Sequence, residues 1–278
     1  MKFVRSNGSQ LCNRLWSYAP LVGYSQMFNE NVFILDFNGY SKLFPNLKTI
    51  TKVHFINCNL TTYCCKVYSY IKFKLKGEDV RKTNFTRRIG GLFINGWEWR
   101  SSADLITSNR DCILELFSPT ELVVSKCNNI INELKEDNVT IVGVHVRKGD
   151  YKTFMDGKYC FSDEVYLKIM FQIQFIIENI NNKVKFIITS NEILKWDIQG
   201  LDYFQVSGST SIEDLYLLSL CDYIIGPPST FSMWASFYGQ VPLKLILSTN
   251  KIQSINEFKI INAVDVFEDG SLFSTEEI

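Results

Sequence analysis

Histidine is almost missing from this 278-residue chain: there are two, His54 and His145. The eight cysteines form neither a C-x-x-C pair nor a Cys/His cluster, so a structural zinc site has no ligand set to use. Net charge is also missing. With 29 basic and 29 acidic residues, nothing global attracts nucleic acid. No run of eighteen apolar residues occurs, which removes a membrane-spanning helix from the reading. The N-terminus shows no charged region followed by an apolar core of signal-peptide length, so the expected setting is the cytosol, with reduced thiols. Three N-x-[ST] matches, at Asn59, Asn84 and Asn138, are then chance matches. There is no G-x-x-x-x-G-K-[ST] loop and no convincing G-x-G-x-x-G, which leaves a P-loop and a dinucleotide fingerprint without support. No D-x-D pair stands at a strand end to hold a divalent metal on phosphates.

What is present describes a folded α/β protein. Hydrophobic residues make up 46% of the chain and charged residues 21%, which excludes a disordered polymer. Aromatic residues are abundant, with 21 Phe and 13 Tyr. Val139 to Tyr151, V-T-I-V-G-V-H-V-R-K-G-D-Y, carries the most information. Its apolar, β-branched part reads as a parallel strand buried on both faces, and Arg147 to Asp150 form a polar turn at its carboxyl end. Open α/β sheets bind ligands at that end. At period 2, His145 and Arg147 share a face. Taken alone, the segment is equally an ordinary exposed βα turn.

Strand and helix then alternate. Ser162 caps a helix over Asp163 to about Asn179, and Val184 to Thr189 is a second buried strand ending in Ser190-Asn191-Glu192. Ile212 to Cys221 is helical, Asp222 to Gly226 is a third strand, Ser229-Thr230 opens another helix, and Val241 to Leu247 is a fourth strand. This half is a Rossmann-like domain with right-handed crossovers. Three loops converge: Arg147 to Asp150, Ser190 to Glu192, and Ser229-Thr230. An arginine fork with hydroxyls and N–H groups at a helix start describes a pyrophosphate site, its charge met by Arg147, Lys148 and the helix dipole.

The first half is less regular. Lys2 to Arg5 is a short strand, followed by the turn Ser6 to Ser9 and a helix carrying Leu11, Leu15, Tyr18, Ala19 and Val22, which Pro20 should kink or break. Val32 to Phe37 is the next strand, with Asp36 near its end. Tyr70 to Lys76 alternates apolar residues and lysines. That pattern suits a lysine-protected edge strand or a face for an anionic surface. Trp97-Glu98-Trp99-Arg100 is compatible with a sugar-stacking wall or with core packing. The run Lys135 to Asn138 marks the expected boundary between domains 1–138 and 139–278.

His145-Val146-Arg147-Lys148-Gly149-Asp150-Tyr151 resembles the H-x-R-x-G-D-Y motif of the α-1,2-fucosyltransferase family. Glu213 to Asp222, followed by Pro228-Ser229-Thr230-Phe231-Ser232-Met233-Trp234-Ala235, resembles its second signature. Leu11-Cys12-Asn13-Arg14-Leu15 and Phe186 to Asn191 are looser matches. The four segments stand in the family's order over residues 8 to 238. The chain departs from the family where it has Gly8 to Cys12 in place of glycines, Asn191 in place of an aspartate, and Gly226-Pro227-Pro228 before Ser229.

The resemblance implies a GT-B arrangement: two Rossmann-like domains facing a central cleft, the first on the acceptor side and the second holding the nucleotide sugar. It implies an inverting, metal-independent transferase that takes GDP-fucose as donor substrate and a glycan as acceptor, without cofactor. Arg147 would stabilise charge developing on the leaving diphosphate. Asn13, His145, Ser190, Asn191, Ser229, Thr230 and Phe231 would touch the donor. Trp97 and Glu98 are the candidates on the acceptor side. The general base is open among Asp150, Asp36 and Glu98, with Asp150 equally suited to orienting Arg147. Bacterial members build surface polysaccharides, which implies a cytosolic enzyme working near the inner membrane surface. Other readings are the same fold with another nucleotide sugar, a non-catalytic glycan- or nucleotide-binding module, and a phosphatase with His145 as nucleophile.

Overall fold

A computed structural model describes residues 1–6, 10–56, 93–179, 183–196, 198–248, 252 and 254–264. The chain forms an α/β fold in two compact units that divide between Thr120 and Glu121. The expected strand at Tyr70 to Lys76, the Gly90-Gly91 pair and the centre of the Ser6 to Ser9 turn lie outside the described residues.

In the first unit, β1 (Lys2–Arg5), β2 (Val32–Ile34), β3 (Val53–Phe55) and β4 (Phe93–Asn95) form a parallel sheet in the order β3-β2-β1-β4. Helix α1 (Leu11–Phe28) runs through Pro20 without the break that was one of the two expected outcomes. An interior proline costs a helix about 3 kcal/mol. Burial along the helix outweighs that cost, since Leu15, Trp16, Tyr18, Ala19, Leu21 and Val22 are all 0% exposed. Asn29 ends α1 in the left-handed conformation, where a short polar side chain is tolerated. The strand expected over Val32 to Phe37 stops at Ile34, and Asp36 follows it in a loop. Among the described residues this unit also carries two short α-helices, α2 (Ala103–Thr107) and α3 (Arg110–Leu116). Val264 donates its N–H to the Arg100 carbonyl at 3.2 Å, so the described residues after Ile261 return to it.

The second unit opens with α4 (Glu121–Leu134), ahead of the 138/139 line read from the charged run. Its tertiary partners explain the difference. Lys126 pairs with Glu213 at 2.7 Å, and the Cys127 thiol lies 3.5 Å from the Glu213 carbonyl, which ties α4 to the later half of the chain. Five parallel strands follow: β5 (Val139–Val146), β6 (Lys183–Ser190), β7 (Tyr203–Gln205), β8 (Tyr223–Gly226) and β9 (Leu243–Leu245). Their order is β7-β6-β5-β8-β9. Helix α5 (Asp163–Glu178) lies between β5 and β6, α6 (Ser211–Leu218) between β7 and β8, and α7 (Thr230–Gly239) between β8 and β9, while β7 follows β6 with no helix described between them.

The alternation read from the sequence is present apart from β7, a short edge strand the sequence did not show, because strands buried on both faces are continuous apolar runs while the helices keep one apolar stripe. Val142, Val144 and Val146 pack with Tyr166, Ile169, Ile173 and Ile177 of α5 on one face. Gly143 and His145 take the other face, where a side chain at Gly143 would meet Leu218. Strand order reverses between β5 and β8, and open α/β sheets bind ligands outside the carboxyl ends of strands at such a switch point.

Candidate active site

At the carboxyl end of β5 the chain turns through Arg147 and Lys148 into a short 3₁₀ turn, Gly149–Lys152. Gly149 has φ +45°, a region that L side chains enter at a cost, so glycine suits this corner. Arg147 Nη2 lies 2.9 Å from Asp150 Oδ2, and its guanidinium stands 5.6 Å from the centre of the Tyr151 ring. Asp150 is half-exposed, whereas the arginine side chain is only 14% exposed. The Arg147 N–H points at the Tyr166 hydroxyl, at 3.4 Å.

Two neighbouring loops hold this turn. Tyr151, nearly buried, donates its hydroxyl to the Pro228 carbonyl at 2.5 Å. Burial pushes its phenol pKa up, while Ser229 and Arg147 act in the opposite direction. On the other side, the Lys148 N–H donates to Asn191 Oδ1 at 2.9 Å, and the Gly149 N–H donates to Glu192 Oε1 at 3.0 Å. The loops after β5, β6 and β8 thus meet, as their position on one edge of the sheet led the sequence to suggest.

Ser229 and Thr230 open α7 at the switch point, and both are buried. Ser229 Oγ accepts the Phe231 N–H at 3.2 Å, the capping bond expected of serine at a helix start. The Phe231 ring lies 4.9 Å from the His145 imidazole. His145 is 3% exposed, and Gly226 of β8 is glycine where a Cβ would come within 3.0 Å of the His145 Cβ. Burial first, and the Arg147 charge second, push the His145 pKa down to about 3. Its ring is therefore neutral at physiological pH, and its Nδ1 is buried without a hydrogen-bond partner. Thr189 sits opposite it in the β5/β6 register, with its hydroxyl in the same condition. Buried polar atoms of this kind call for a partner.

Lys148 behaves differently from expectation. Its Nζ pairs with Asp163 at 2.7 Å, donates to the Phe161 carbonyl at 2.7 Å and lies 5.5 Å from the Tyr166 ring centre. The side chain is folded back toward the start of α5. Of the two cations in the motif, Arg147 stays with its own turn, against Asp150 and Tyr151.

The first unit gathers a second group of residues at the carboxyl ends of its own strands. Asn13 lies in the first turn of α1, where its carbonyl accepts the Ser17 hydroxyl at 2.7 Å. Gly96, just after β4, approaches α1 so closely that a Cβ would lie 2.6 Å from the Ser17 carbonyl oxygen. That contact brings the 3₁₀ turn Gly96–Trp99 beside Asn13's helix. The half-buried Trp97 is covered by the Arg100 guanidinium at 4.1 Å, and Glu98 accepts from Asn95 Nδ2 at 2.8 Å. Asp36 is engaged on several sides. It accepts the Ser6 N–H at 3.1 Å and the Tyr18 hydroxyl, and it lies 3.7 Å from Arg14. Of the possible bases, Asp150 is the one beside Arg147, whereas Asp36 and Glu98 belong to this first group.

Sequence reading missed the bonds from Asn191 and Glu192 to the arginine turn, the Tyr151 anchor and the Lys148–Asp163 pair. A Gly-Asp-Tyr turn signals a corner in need of support, but no string of letters says which distant loop supplies it.

A parallel α/β sheet with an arginine turn and a helix start at its switch point belongs to the class that binds ligands at that edge, and comparison with known proteins resolves it further. The chain belongs to glycosyl transferase family 11, whose model matches residues 2–259. Among curated proteins it is 28% identical over 158 residues to the O-antigen biosynthesis glycosyltransferase WbnK of Escherichia coli, covering 54% of this chain and 52% of that protein. It is 32% identical over 108 residues to the galactoside alpha-(1,2)-fucosyltransferase 1 of Mus musculus, covering 35% of this chain and 28% of that protein. The matched region therefore spans about half or less of each relative's length. The fold is similar to that of the NodZ α-1,6-fucosyltransferase of Bradyrhizobium soaked with GDP-fucose. That match has a TM-score of 0.53 at 17% identity, over 87% of this chain and 94% of that one.

Proposed function

We propose that this protein transfers fucose from GDP-fucose to a hydroxyl of a glycan acceptor, with inversion and without a metal ion, in the synthesis of a surface polysaccharide. The second unit is the donor domain and the first is the acceptor side. The setting is the cytoplasm, near the inner membrane surface. The observation that carries the reading is Arg147 at the β5/β8 switch point, 14% exposed and grouped with Tyr151 and Ser229. Family membership and the O-antigen relative support the sugar chemistry and its biological setting.

In this reaction the acceptor oxygen attacks the anomeric carbon of fucose from the face opposite the leaving group. The C–O bond to the β-phosphate breaks as the new glycosidic bond forms. Negative charge grows on the departing diphosphate. A half-buried guanidinium is suited to that charge because its fork gives bidentate, charge-assisted bonds and cannot lose its proton. Ser229, Thr230 and the N–H groups that open α7 receive the remaining phosphate oxygens. Phe231, the neutral His145, Ser190 and Asn191 line the donor site. Trp97 and Glu98 offer an apolar face and an acceptor oxygen to a sugar ring. The acceptor hydroxyl loses its proton to Asp150 or to solvent.

A donor screen in EDTA tests the reading. Purified protein should release GDP from GDP-fucose faster than it releases nucleotide from other GDP or UDP sugars, and GDP should raise its Tm more than UDP or ADP does. Preference for a UDP sugar, or a strict need for added metal, would overturn it.

A further inference from the structure

The loop after β6 spends its side chains on the loop after β5. Asn191 Oδ1 accepts the Lys148 N–H at 2.9 Å, and Glu192 Oε1 accepts the Gly149 N–H at 3.0 Å. The same Glu192 oxygen lies 3.2 Å from Lys152 Nζ, and the Glu192 N–H turns back to Ser190 Oγ at 3.2 Å. Two successive backbone donors of the arginine turn are thus met by two successive side chains of the adjacent loop. This corner has no ladder of its own to satisfy them, because Gly149 sits at φ +45° between strand and 3₁₀ turn. The Arg147–Asp150 pair spans the same corner, so any movement of Gly149 moves both ends of it.

We propose that Glu192 is a positioning residue for Arg147, fixing the guanidinium through the Gly149 N–H. The proposal rests on the reading that Arg147 meets the donor diphosphate. The Lys152 contact is secondary, because both partners are well exposed, at 62% and 42%, and such pairs contribute little. The backbone bond is different: a carboxylate accepting an N–H is a charge-assisted bond that sets the course of the chain. Glutamine keeps an oxygen that can accept from Gly149, and alanine does not.

The test compares Glu192→Ala, Glu192→Gln and Lys152→Ala, each alone and combined with Arg147→Lys. Glu192→Ala should lower kcat about tenfold to a hundredfold, the scale of a small misplacement of a reacting group. The donor KM should change far less, and Glu192→Gln and Lys152→Ala should stay close to wild type. In the Arg147→Lys background, Glu192→Ala should add little, because the residue it positions has already been altered. Hydrogen exchange over residues 147–152 should speed up in Glu192→Ala and not in Glu192→Gln. Multiplying effects in the double variant would overturn the proposal, as would a Gln variant as impaired as the Ala variant. A raised donor KM at constant kcat would instead make Glu192 a direct donor contact. If wild-type protein leaves GDP-fucose untouched, the fucosyl-transfer reading fails, while the exchange measurement still decides whether Glu192 braces the turn.

Discussion

Each unit places an arginine at the carboxyl end of a parallel sheet, and the two arginines have different surroundings. In the first unit Arg14 lies 3.7 Å from Asp36 and 5.5 Å from the Tyr40 ring centre. Asp36 is 12% exposed and also accepts from Ser6 and Tyr18. In the second unit the partner of Arg147 is Asp150, 48% exposed and only three residues away in the same turn. Asp36 is enclosed by donors and acts as a brace, whereas Asp150 is open; Arg147 itself is the less exposed arginine, at 14% against 21% for Arg14, so the contrast lies in the two carboxylates. On the proposed reading the first pair braces its unit and the second serves the reaction, although both lie where ligand crevices form.

The largest effect that can break this contrast is at Arg147. Arg147→Lys keeps the charge and loses the fork, and kcat for fucosyl transfer should fall about 100- to 1000-fold, the usual loss when one preorganised donor is removed. Steady-state kinetics on GDP-fucose checks this, and near-wild-type turnover would remove Arg147 from the mechanism. Asp36→Asn should act on stability instead. It weakens a buried set of hydrogen bonds and should cost about 1–3 kcal/mol in denaturant unfolding. A fall in kcat without a shift in the unfolding midpoint would show that the first pair is chemical after all.

Smaller effects sharpen the picture. Tyr151→Phe removes the hydroxyl that holds the Pro228 carbonyl and should destabilise the protein by about 1 kcal/mol, read as a modest drop in Tm. His145 predicts a pH dependence of stability. The unfolded imidazole takes up its proton near 6.5 and the folded one only near 3, so the unfolded state binds more protons between those values. Stability should therefore fall as pH drops from about 6.5 toward 3, and a His145→Asn variant should show a shallower fall than wild type. Parallel pH profiles for the two proteins would rule out a buried neutral His145.

How much of this was legible depended on range along the chain. Strands β5, β6 and β8 and helix α5 were readable because double-sided burial and a single apolar stripe leave local periodic marks. The motif from His145 to Tyr151 was readable for the same reason: its residues are neighbours. Pro20 misled, because a local rule predicted a break while the surrounding core held α1 together. The domain line at 138 followed a local charge run, yet α4 joins the second unit through Lys126 and Glu213, 87 residues apart.

By itself the sequence determined the α/β alternation, the identity of the arginine turn and the family, all of which are written in residues adjacent or periodically spaced. Tertiary structure alone decided which side chains serve that turn. Glu192 reaches Gly149 across 43 residues, Tyr151 reaches Pro228 across 77, and Lys148 turns away to Asp163. Such pairings arise only when parallel strands set distant loops side by side, because strand order, not chain order, determines which loops become neighbours.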